Sequence, residues 1–456
     1  MRTVERILDE LKDMINSRKY SPLRSKLELL EPVDVAWLLG QLEPEERSPV
    51  FRLLPKEMAA EVFSELEADE QEQLIESFGD RELEFVLSGL YSDDATDLIE
   101  EMPANVVKRI LKHTDPQKRA VINQLLKYPK DSAGSMMTTE FMDLKANMTV
   151  AQAFDRIRKV GLERETVYTC YVTDANRKLE GVITVLEMLM ADGEDTVGEL
   201  MNRNVIFFHT LDDQEQVARA FDKYGFLAFP IADGEGRLVG IVTVDDAMEV
   251  IEEENTEDIE KMAAILPTEK PYLKTGVFET FRSRIPWLLI LMISATFTGR
   301  IIAGFEEALA AQAVLISFIP MLMDTAGNTG SQASVTIIRS LSLQELRFKD
   351  LFRVVWKEIR VAVLCGIALS VANFLKILLV DNLIFQAHVS VAVAAVVCVT
   401  LCLTVAVAKL VGCSLPMLAK KCKFDPAVMA SPFITTIVDA IALLIYFAVA
   451  LAVLKI

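Results

Sequence analysis

The sequence predicts a multi-domain membrane protein: an all-α superhelical N-terminal domain (1–133), a duplicated α+β module (134–247), a connecting helix (248–283) and a five-helix transmembrane domain (284–456). Three observations support this fold class. Charge is split along the chain, a 12-residue apolar period precedes a longer duplication, and five apolar segments follow near the C-terminus.

Charge is divided unevenly between the two halves of the chain. Residues 1–283 contain 33 Lys and Arg against 57 Asp and Glu, whereas residues 284–456 contain 14 against 9. The acidic half argues against nucleic acid as a partner, because a polyanion binds a basic surface. It suits divalent cations, or it is simply a well-solvated surface.

The first domain shows an apolar period of 12 residues. Each unit has room for a turn and about two helical turns with one apolar stripe, and so short a helix cannot bury that stripe alone. Neighbouring units should therefore stack into a superhelix, although an ordinary helical bundle is the alternative. The periodic positions are Leu42, Leu54, Leu66, Phe78, Leu90 and Met102.

The second part is a duplication with copies at about 137–192 and 201–247. The stretch "DANRKLEGVITV" matches "DGEGRLVGIVTV" 59 residues later, and each copy predicts strand, helix, strand, turn, strand and helix. The pair resembles a tandem CBS module, which often binds nucleotides or ions and regulates a partner. Thr243 and Asp246 have the spacing at which such modules bind a ribose, so the resemblance implies ATP as a candidate ligand.

An acidic segment of helical spacing, "DDAMEVIEEENTEDIEKMAAILP", connects this module to the apolar half. Each apolar segment that follows is long enough to cross a hydrocarbon core of roughly 30 Å. The second is interrupted by small and polar residues. The predicted spans are about Ile285–Gly304, Ala308–Ile338, Val361–Val380, Val389–Pro416 and Ala427–Leu454.

The loops between the spans predict the orientation. Basic residues cluster between spans two and three and between spans four and five, whereas Glu306, Glu307 and Asp381 lie in the alternate loops. Loops rich in Lys and Arg stay on the cytosolic side of a membrane, and the charged start of the chain does not resemble a signal peptide. The N-terminal domains are therefore expected in the cytosol and the C-terminus outside a cell membrane.

Polar residues in spans two and five are the candidate functional groups. Span two contains Gly327 and Gly330, which either break the helix beside a water-filled path or pack helices closely. Span five contains Asp439, and a carboxylate near the middle of a span costs about 2.5–3.5 kcal/mol. It either lines a pore or is bonded to Asn328 or Thr436 within one bundle.

The stretches "GNTGSQ" in span two and "DPAVMASPFITTIVD" opening span five resemble the MgtE family of magnesium channels and transporters, as does the order of parts. The resemblance implies a homodimer in the lipid bilayer, with a Mg²⁺ pore between two membrane domains. The connecting helices would act as a plug that cytosolic Mg²⁺ closes.

The resemblance also implies individual residues. Asp439 matches the pore aspartate, and Thr435 matches the residue whose backbone carbonyl faces the hydrated ion. Asn328 and Gly327 are further candidate pore residues because of the polar and small-residue character of span two. Gly225 stands where an acidic sensor residue is expected. The implied regulatory ligands are Asp94, Asp97, Glu215, Asp246, Glu249, Glu254, Glu257, Asp258 and Asp425.

We therefore expect a Mg²⁺ channel or transporter and not an enzyme. Three scattered His and six Cys without a Cys-x-x-Cys pair favour neither a catalytic triad nor a zinc site. One alternative is the same architecture carrying Co²⁺ or Mn²⁺, because all the ligands are oxygens. The other is a CBS-regulated membrane enzyme or scaffold in which Asp439 only fixes helix packing.

Overall fold

The computed structural model describes residues 2–268, 272–429 and 431–454. These residues form two compact units, Met1–Ile251 and Glu252–Ile456. The first unit contains the helical repeats and the duplicated module. The second contains the end of the connecting helix and the apolar helices.

The first unit begins with short α-helices. From α3 onward they start at residues 32, 44, 56, 68, 80, 92, 104 and 116, so the 12-residue period is confirmed. The helices are α1 (Arg2–Asn16), α2 (Tyr20–Leu27), α3 (Pro32–Gly40), α4 (Pro44–Phe51), α5 (Lys56–Ser64), α6 (Ala68–Ser77), α7 (Asp80–Gly89), α8 (Ser92–Glu101), α9 (Ala104–His113) and α10 (Pro116–Leu125).

Stacking of these helices gives the superhelix. Every second helix packs against the next of its row: α3 against α5, α5 against α7, α7 against α9, and likewise α4 against α6 and α8 against α10. All six periodic apolar side chains are buried in the resulting core. Proline at the first position of α3, α4 and α10 favours the helix start, because its missing N–H has no intrahelical partner there.

Two equivalent three-stranded sheets follow, which confirms the duplication. In each, the first strand pairs in parallel with the second, and the second pairs antiparallel with the third. The first copy contains β1 (Phe141–Leu144), α11 (Val150–Val160), β2 (Thr166–Thr173), β3 (Leu179–Thr184) and α12 (Val185–Met190). The second contains α13 (Val197–Leu200), β4 (Phe208–His209), α14 (Gln214–Tyr224), β5 (Ala228–Ala232) and β6 (Leu238–Thr243).

The connecting helix, α15 (Val244–Met262), is shorter than the predicted 248–283. It starts directly after β6 and ends before Ala264, which has a φ of 56°. Pro267 disfavours helical backbone in the residue before it, which explains why the helix does not resume there. Part of the predicted helix, 269–271, lies outside the described residues.

The second unit continues with long helices. They are α16 (Val277–Gly304), α17 (Glu306–Ala311), α18 (Ile319–Ser342), α19 (Leu351–Lys376), α20 (Val391–Lys421) and α21 (Ser431–Leu454). A 3₁₀ turn, Ala313–Phe318, precedes α18, and a π-helix, Ile377–Ile384, continues α19. Within the described ranges, four segments are long and apolar enough to span a membrane: Val277–Gly304, Phe348–Ile384, Val391–Lys421 and Pro426–Leu454.

The predicted second span differs most from the structure. Its 24-residue helix, α18, is about 36 Å long, but it is not among the four apolar segments because Asp324, Asn328, Gln332 and Arg339 interrupt it. The helix continues through Gly327 and Gly330, so of the two alternatives for these glycines a break in the helix is wrong. The interruption falls earlier, at the 3₁₀ turn. Because α18 packs against both α20 and α21, it belongs to the same bundle.

A buried ion pair links α19 and α20. Nζ of Lys409 lies 3.1 Å from Oε2 of Glu358, and both side chains are largely shielded from solvent. Neither residue was singled out from the sequence. Charges at membrane depth are tolerated only when they are paired, so this contact fixes the two helices against each other.

Candidate functional site

Asp439 lies on α21 where that helix touches α18. A methyl group placed on Gly327 of α18 would lie 3.0 Å from Cγ2 of Thr435 and 3.6 Å from Oδ1 of Asp439. Glycine is therefore what lets the two helices approach at this level. Asp324 is close enough to Asp439 for their charges to repel. The structure thus brings three of the four predicted pore residues together.

The nearby polar groups are bonded elsewhere. Nδ2 of Asn328 donates to Oδ1 of Asp324 at 3.1 Å, and Oγ1 of Thr436 donates to the carbonyl of Pro432 at 3.0 Å. Oδ1 of Asp439 is buried and has no hydrogen-bond partner within the described part of the chain. The alternative in which Asn328 or Thr436 satisfies Asp439 within one bundle is therefore wrong. Asn328 itself is exposed.

Small residues also bring α18 against α20. A methyl group on Gly412 would lie 2.2 Å from the carbonyl oxygen of Gly330, and one on Gly330 would lie 3.0 Å from Cγ2 of Ile434. At Gly330, α18 is therefore in backbone contact with α20 and in contact with the side chains of α21. This packing holds the face that carries Gly327 in a fixed position against α21.

A second candidate site lies in the first unit, where α8 faces the start of α15. Oδ2 of Asp246 accepts hydrogen bonds from the hydroxyl of Thr243 and from its N–H, the latter at 3.3 Å. Burial, and then the charge of Asp246, raises the pKa of Asp94 to about 6. Burial, and then the charge of Asp94, raises the pKa of Asp97 to about 8. These carboxylates therefore destabilise one another's charged forms.

Further acids join this cluster that sequence reasoning missed. Burial, followed by the charges of Asp246 and Asp94, raises the pKa of Glu165 to about 8. Burial, followed by the charges of Glu249 and Asp245, raises the pKa of Glu65. Asp93 is also buried, and its pKa is raised. The acidic run "SDDATD" gave a signal for Asp93, but nothing in the sequence marked Glu165.

Glu140 fixes the position of α8 beside this cluster. Its Oε2 accepts hydrogen bonds from Oγ of Ser92 at 2.6 Å, from Oγ1 of Thr138 at 2.8 Å and from the N–H of Thr139 at 3.1 Å. Ser92 is the first residue of α8, so one carboxylate connects the helical repeats to the duplicated module. The acids on α8 are held by this connection.

The cluster offers only hard oxygen ligands. Within the described ranges, no three His, Cys, Asp or Glu side chains come together as metal ligands. The carboxylates therefore share one negative field without forming a coordination shell. Such a field suits a cation that keeps several of its own water ligands, as Mg²⁺ does.

Two other positions that the sequence singles out, Glu215 and Gly225, lie near the two ends of α14. Glu215, near the start of α14, forms an ion pair with Arg219 one turn later. Gly225 follows α14 with a φ of 66°, in the left-handed conformation that favours glycine. The helix end therefore explains why this position lacks the expected acid.

The end of the connecting helix contacts the bundle within the second unit. Nζ of Lys261 lies 2.7 Å from Oε1 of Glu257 and 2.7 Å from Oδ2 of Asp425. Oγ of Ser342 donates to Oδ2 of Asp258 at 3.4 Å. Burial, followed by the charge of Asp425, raises the pKa of Asp258. Lys261 thus supplies a cation among acids that were predicted as metal ligands, while Glu254 lies on the same helix.

The long apolar helices and the buried carboxylate among them define a multi-pass membrane protein, with an acidic N-terminal half that contains helical repeats and a duplicated α+β module. Three family models match the chain: the MgtE intracellular N domain over residues 30–131, the CBS domain over 133–194 and 197–253, and the MgtE divalent cation transporter over 319–449. Together these matches follow the order of parts that the sequence predicts.

Two relatives are similar to this chain over nearly their whole length. The chain is 37% identical over 450 residues to the magnesium transporter MgtE of Thermus thermophilus, covering 98% of each protein. It is 30% identical over 439 residues to the Bacillus subtilis magnesium transporter MgtE, covering 96% of this chain and 95% of that protein. The chain belongs to the MgtE family of magnesium transporters.

The soluble half also resembles a solved structure, the cytosolic domain of the Mg²⁺ channel MgtE in complex with ATP. The identity is 36% and the TM-score is 0.51. The match covers 53% of this chain and 99% of that one.

Proposed function

We propose that two copies of this chain form a Mg²⁺ channel whose pore is lined by Asp439 and Thr435, with Gly327 and Asn328 opposite. The observation that carries the proposal is the buried Oδ1 of Asp439, which has no partner in the described residues. A hydrated dication between the Asp439 carboxylates of two copies would offset both burial costs. Mg²⁺ suits this position because it keeps its octahedral water shell.

The membrane potential would drive uptake without a chemical reaction. At about 2.3 kcal/mol per charge per 100 mV, an inside-negative potential supplies about 4.6 kcal/mol for a dication. The chain would therefore act as a transporter and not as an enzyme. In the proposed topology the soluble half lies in the cytosol of a cell with this protein in its plasma membrane. With α18 counted as the second of five spans, the C-terminus lies outside.

Cytosolic Mg²⁺ would close the channel through the acidic cluster. The raised pKa values of Asp94 and Asp97 support this because they report unfavourable burial and repulsion that a bound dication would relieve. The connecting helix would carry the change to the membrane helices, and its contact with Asp425 supports this route. Glu249 and Glu257 lie on that helix and would contribute to the same response.

ATP is the proposed regulatory nucleotide. Thr243 and Asp246 are bonded to each other at the end of β6, and the similar solved domain was crystallised with ATP. We propose the same four functional parts as the sequence predicts: the helical repeats (1–133), the duplicated module (134–247), the connecting segment (248–283) and the transmembrane domain (284–456). The connecting segment is helical as far as Met262.

Flux into proteoliposomes tests the pore. With a Mg²⁺-sensitive dye inside and an imposed potential, Asp439→Asn should lose most of the influx while the dimer still assembles. Glu307→Gln is the matched control, because Glu307 is an exposed acid on α17. Normal influx through Asp439→Asn would remove the assignment.

Transport of another divalent cation is the second candidate. The family model describes a divalent cation transporter, and an all-oxygen site does not by itself separate Mg²⁺ from Mn²⁺ or Co²⁺. Competition in the same liposomes decides between them. Full Mg²⁺ influx in the presence of equal Mn²⁺ or Co²⁺ supports the magnesium channel, whereas strong inhibition favours the broader carrier.

A further inference from the structure

The duplicated module contains a polar cavity that none of the proposed sites uses. Its volume is about 240 Å³. It is bounded by β1, by the end of β2 and its hairpin, and by the start of β6. The lining residues are Thr139, Phe141, Asp143, Arg164, Thr173, Arg177 and Leu238.

The charges at this cavity are unlike those of the rest of the soluble half. The guanidinium groups of Arg164 and Arg177 make no ion pair or hydrogen bond with any residue that the structure describes. Asp143 is neutralised by Arg156, whose Nη2 lies 2.5 Å from Oδ1, and by Lys145, whose Nζ lies 3.9 Å from Oδ2. The cavity is therefore locally positive within a half that carries 57 acids against 33 basic residues.

The backbone at Arg177 marks this arginine as unusual. Arg177 has a φ of 64°, and the equivalent position of the second copy is Gly236, with a φ of 77°. The carbonyl of Arg177 accepts a hydrogen bond from the N–H of Leu238 at 2.9 Å, which holds the hairpin in place. A long side chain therefore occupies a left-handed position that its own repeat fills with glycine.

We propose that this cavity binds a small phosphate-bearing anion, of the size of pyrophosphate, between Arg164 and Arg177. Guanidinium groups recognise phosphate oxygens through paired, charge-assisted hydrogen bonds. The hydroxyl of Thr173 accepts a hydrogen bond from Nζ of Lys145 at 2.7 Å and keeps its own proton to donate to an anion. The hydroxyl of Thr139 is already bonded to Ser92 and Glu140. The volume equals that of roughly eight waters at ~30 Å³ each, which fits a phosphate group and falls below the usual ~300–1,000 Å³ of pockets for larger molecules.

The Arg177 end of the cavity is distant from the proposed ribose site. Leu238 lines this end at the start of β6, whereas Thr243 lies five residues further along the strand, roughly 17 Å away. The opposite end, at Thr139, lies closer to Thr243, because Thr138 pairs with Ile241 of β6. Thr139 connects the cavity to the acidic cluster, because its Oγ1 lies 3.0 Å from Oγ of Ser92 at the head of α8. An anion bound here would therefore act on the element that carries Asp94 and Asp97.

Calorimetric titration of the full-length protein with sodium pyrophosphate, without Mg²⁺, tests the proposal. Wild-type protein should bind, and Arg164→Gln with Arg177→Gln should weaken binding at least about tenfold, the scale of one lost charge-assisted hydrogen bond. Arg158→Gln is the matched control, because Arg158 is exposed on α11 and pairs with Asp155. Absence of wild-type binding at millimolar pyrophosphate, or equal affinity of the double variant, would overturn the proposal.

Two further binding measurements separate a lost anion site from a misfolded protein. Arg177→Gly removes one guanidinium and gives the backbone the residue that the second copy uses, so it should fold normally and still lose most pyrophosphate affinity. ATP binding should survive in the double variant, since ATP is assigned to Thr243 and Asp246. Loss of ATP binding together with pyrophosphate would overturn the separation of the two sites. None of these readouts depends on Mg²⁺ transport.

Discussion

Asp97 should make the soluble half less stable as pH rises, and Asp97→Asn should remove that effect. Burial, followed by neighbouring carboxylates, raises the pKa of Asp97 to about 8 in the folded protein, against about 3.9 in an unfolded chain. Between these values the folded state keeps a proton that the unfolded state has released. A fully buried group would weaken folding by about 1.4 kcal/mol per pH unit in that window. Because the side chain of Asp97 is exposed, solvent screens its interactions, and we expect a total of about 1 kcal/mol from pH 5 to pH 8, the scale of an exposed charge pair.

Thermal unfolding of a soluble fragment, residues 1–262, measures this effect in Mg²⁺-free buffer. For a domain of this size about 1 kcal/mol shifts Tm by roughly 2–4 °C. Relative to Asp97→Asn, the wild-type fragment should therefore lose roughly 2–4 °C between pH 5 and pH 8. Asp155→Asn is the control, because Asp155 is exposed on α11, and its Tm should follow the wild-type curve.

Parallel Tm curves for wild type and Asp97→Asn across this pH range would refute the reasoning. They would show that the carboxyl of Asp97 does not carry an extra proton in the folded state. Addition of Mg²⁺ at pH 8 extends the test, because a ligand that binds only the folded state raises Tm. The wild-type fragment should gain more than Asp97→Asn, and an equal gain would exclude Asp97 from the ion site.

Three further predictions concern contacts described above. Lys409→Met should lower the stability of the detergent-solubilised protein by about 3–5 kcal/mol, because it leaves Glu358 buried without a partner. Adding Glu358→Leu should restore much of this loss. An unchanged Tm of Lys409→Met would contradict the prediction. Gly412→Ala should cost about 1–3 kcal/mol by the same measurement, since its methyl group would overlap the carbonyl of Gly330; wild-type stability would show that the helices separate freely. Gly225→Asp should lower the urea midpoint of the soluble fragment by the equivalent of about 1 kcal/mol because of its positive φ, and a raised midpoint would refute that cost.

The repeats and the duplication could be predicted because their signals are local. One apolar stripe every 12 residues is enough to fix the starts of α3 to α10, and paired turn sequences fix both hairpins. The end of α15 was harder, since the acidic helical pattern continues past Met262 while backbone conformation at Ala264 and Pro267 ends the helix.

The composition of the acidic cluster could not be read from sequence. Glu165 precedes β2 and Glu65 follows α5, so only the packing of distant segments brings them near Asp94 and Asp246. Lys409 is a different case. It lies as a lone charge inside a predicted span, the signal that singled out Asp439, and the same reasoning applied to it would have predicted a partner such as Glu358.

The regular spacing of α3 to α10 has a consequence for changes in chain length. Each helix touches mainly the next helix of its own row, so added sequence disturbs its surroundings only where it enters. Because successive helices alternate between the two rows, an insertion of twice the 12-residue period at one of the turns adds a whole step of two helices and keeps every later helix on its own side of the stack. An insertion of five or six residues instead turns the apolar stripe of every later helix away from the core. The length of this domain can therefore grow or shrink in whole steps while the α8 surface stays intact.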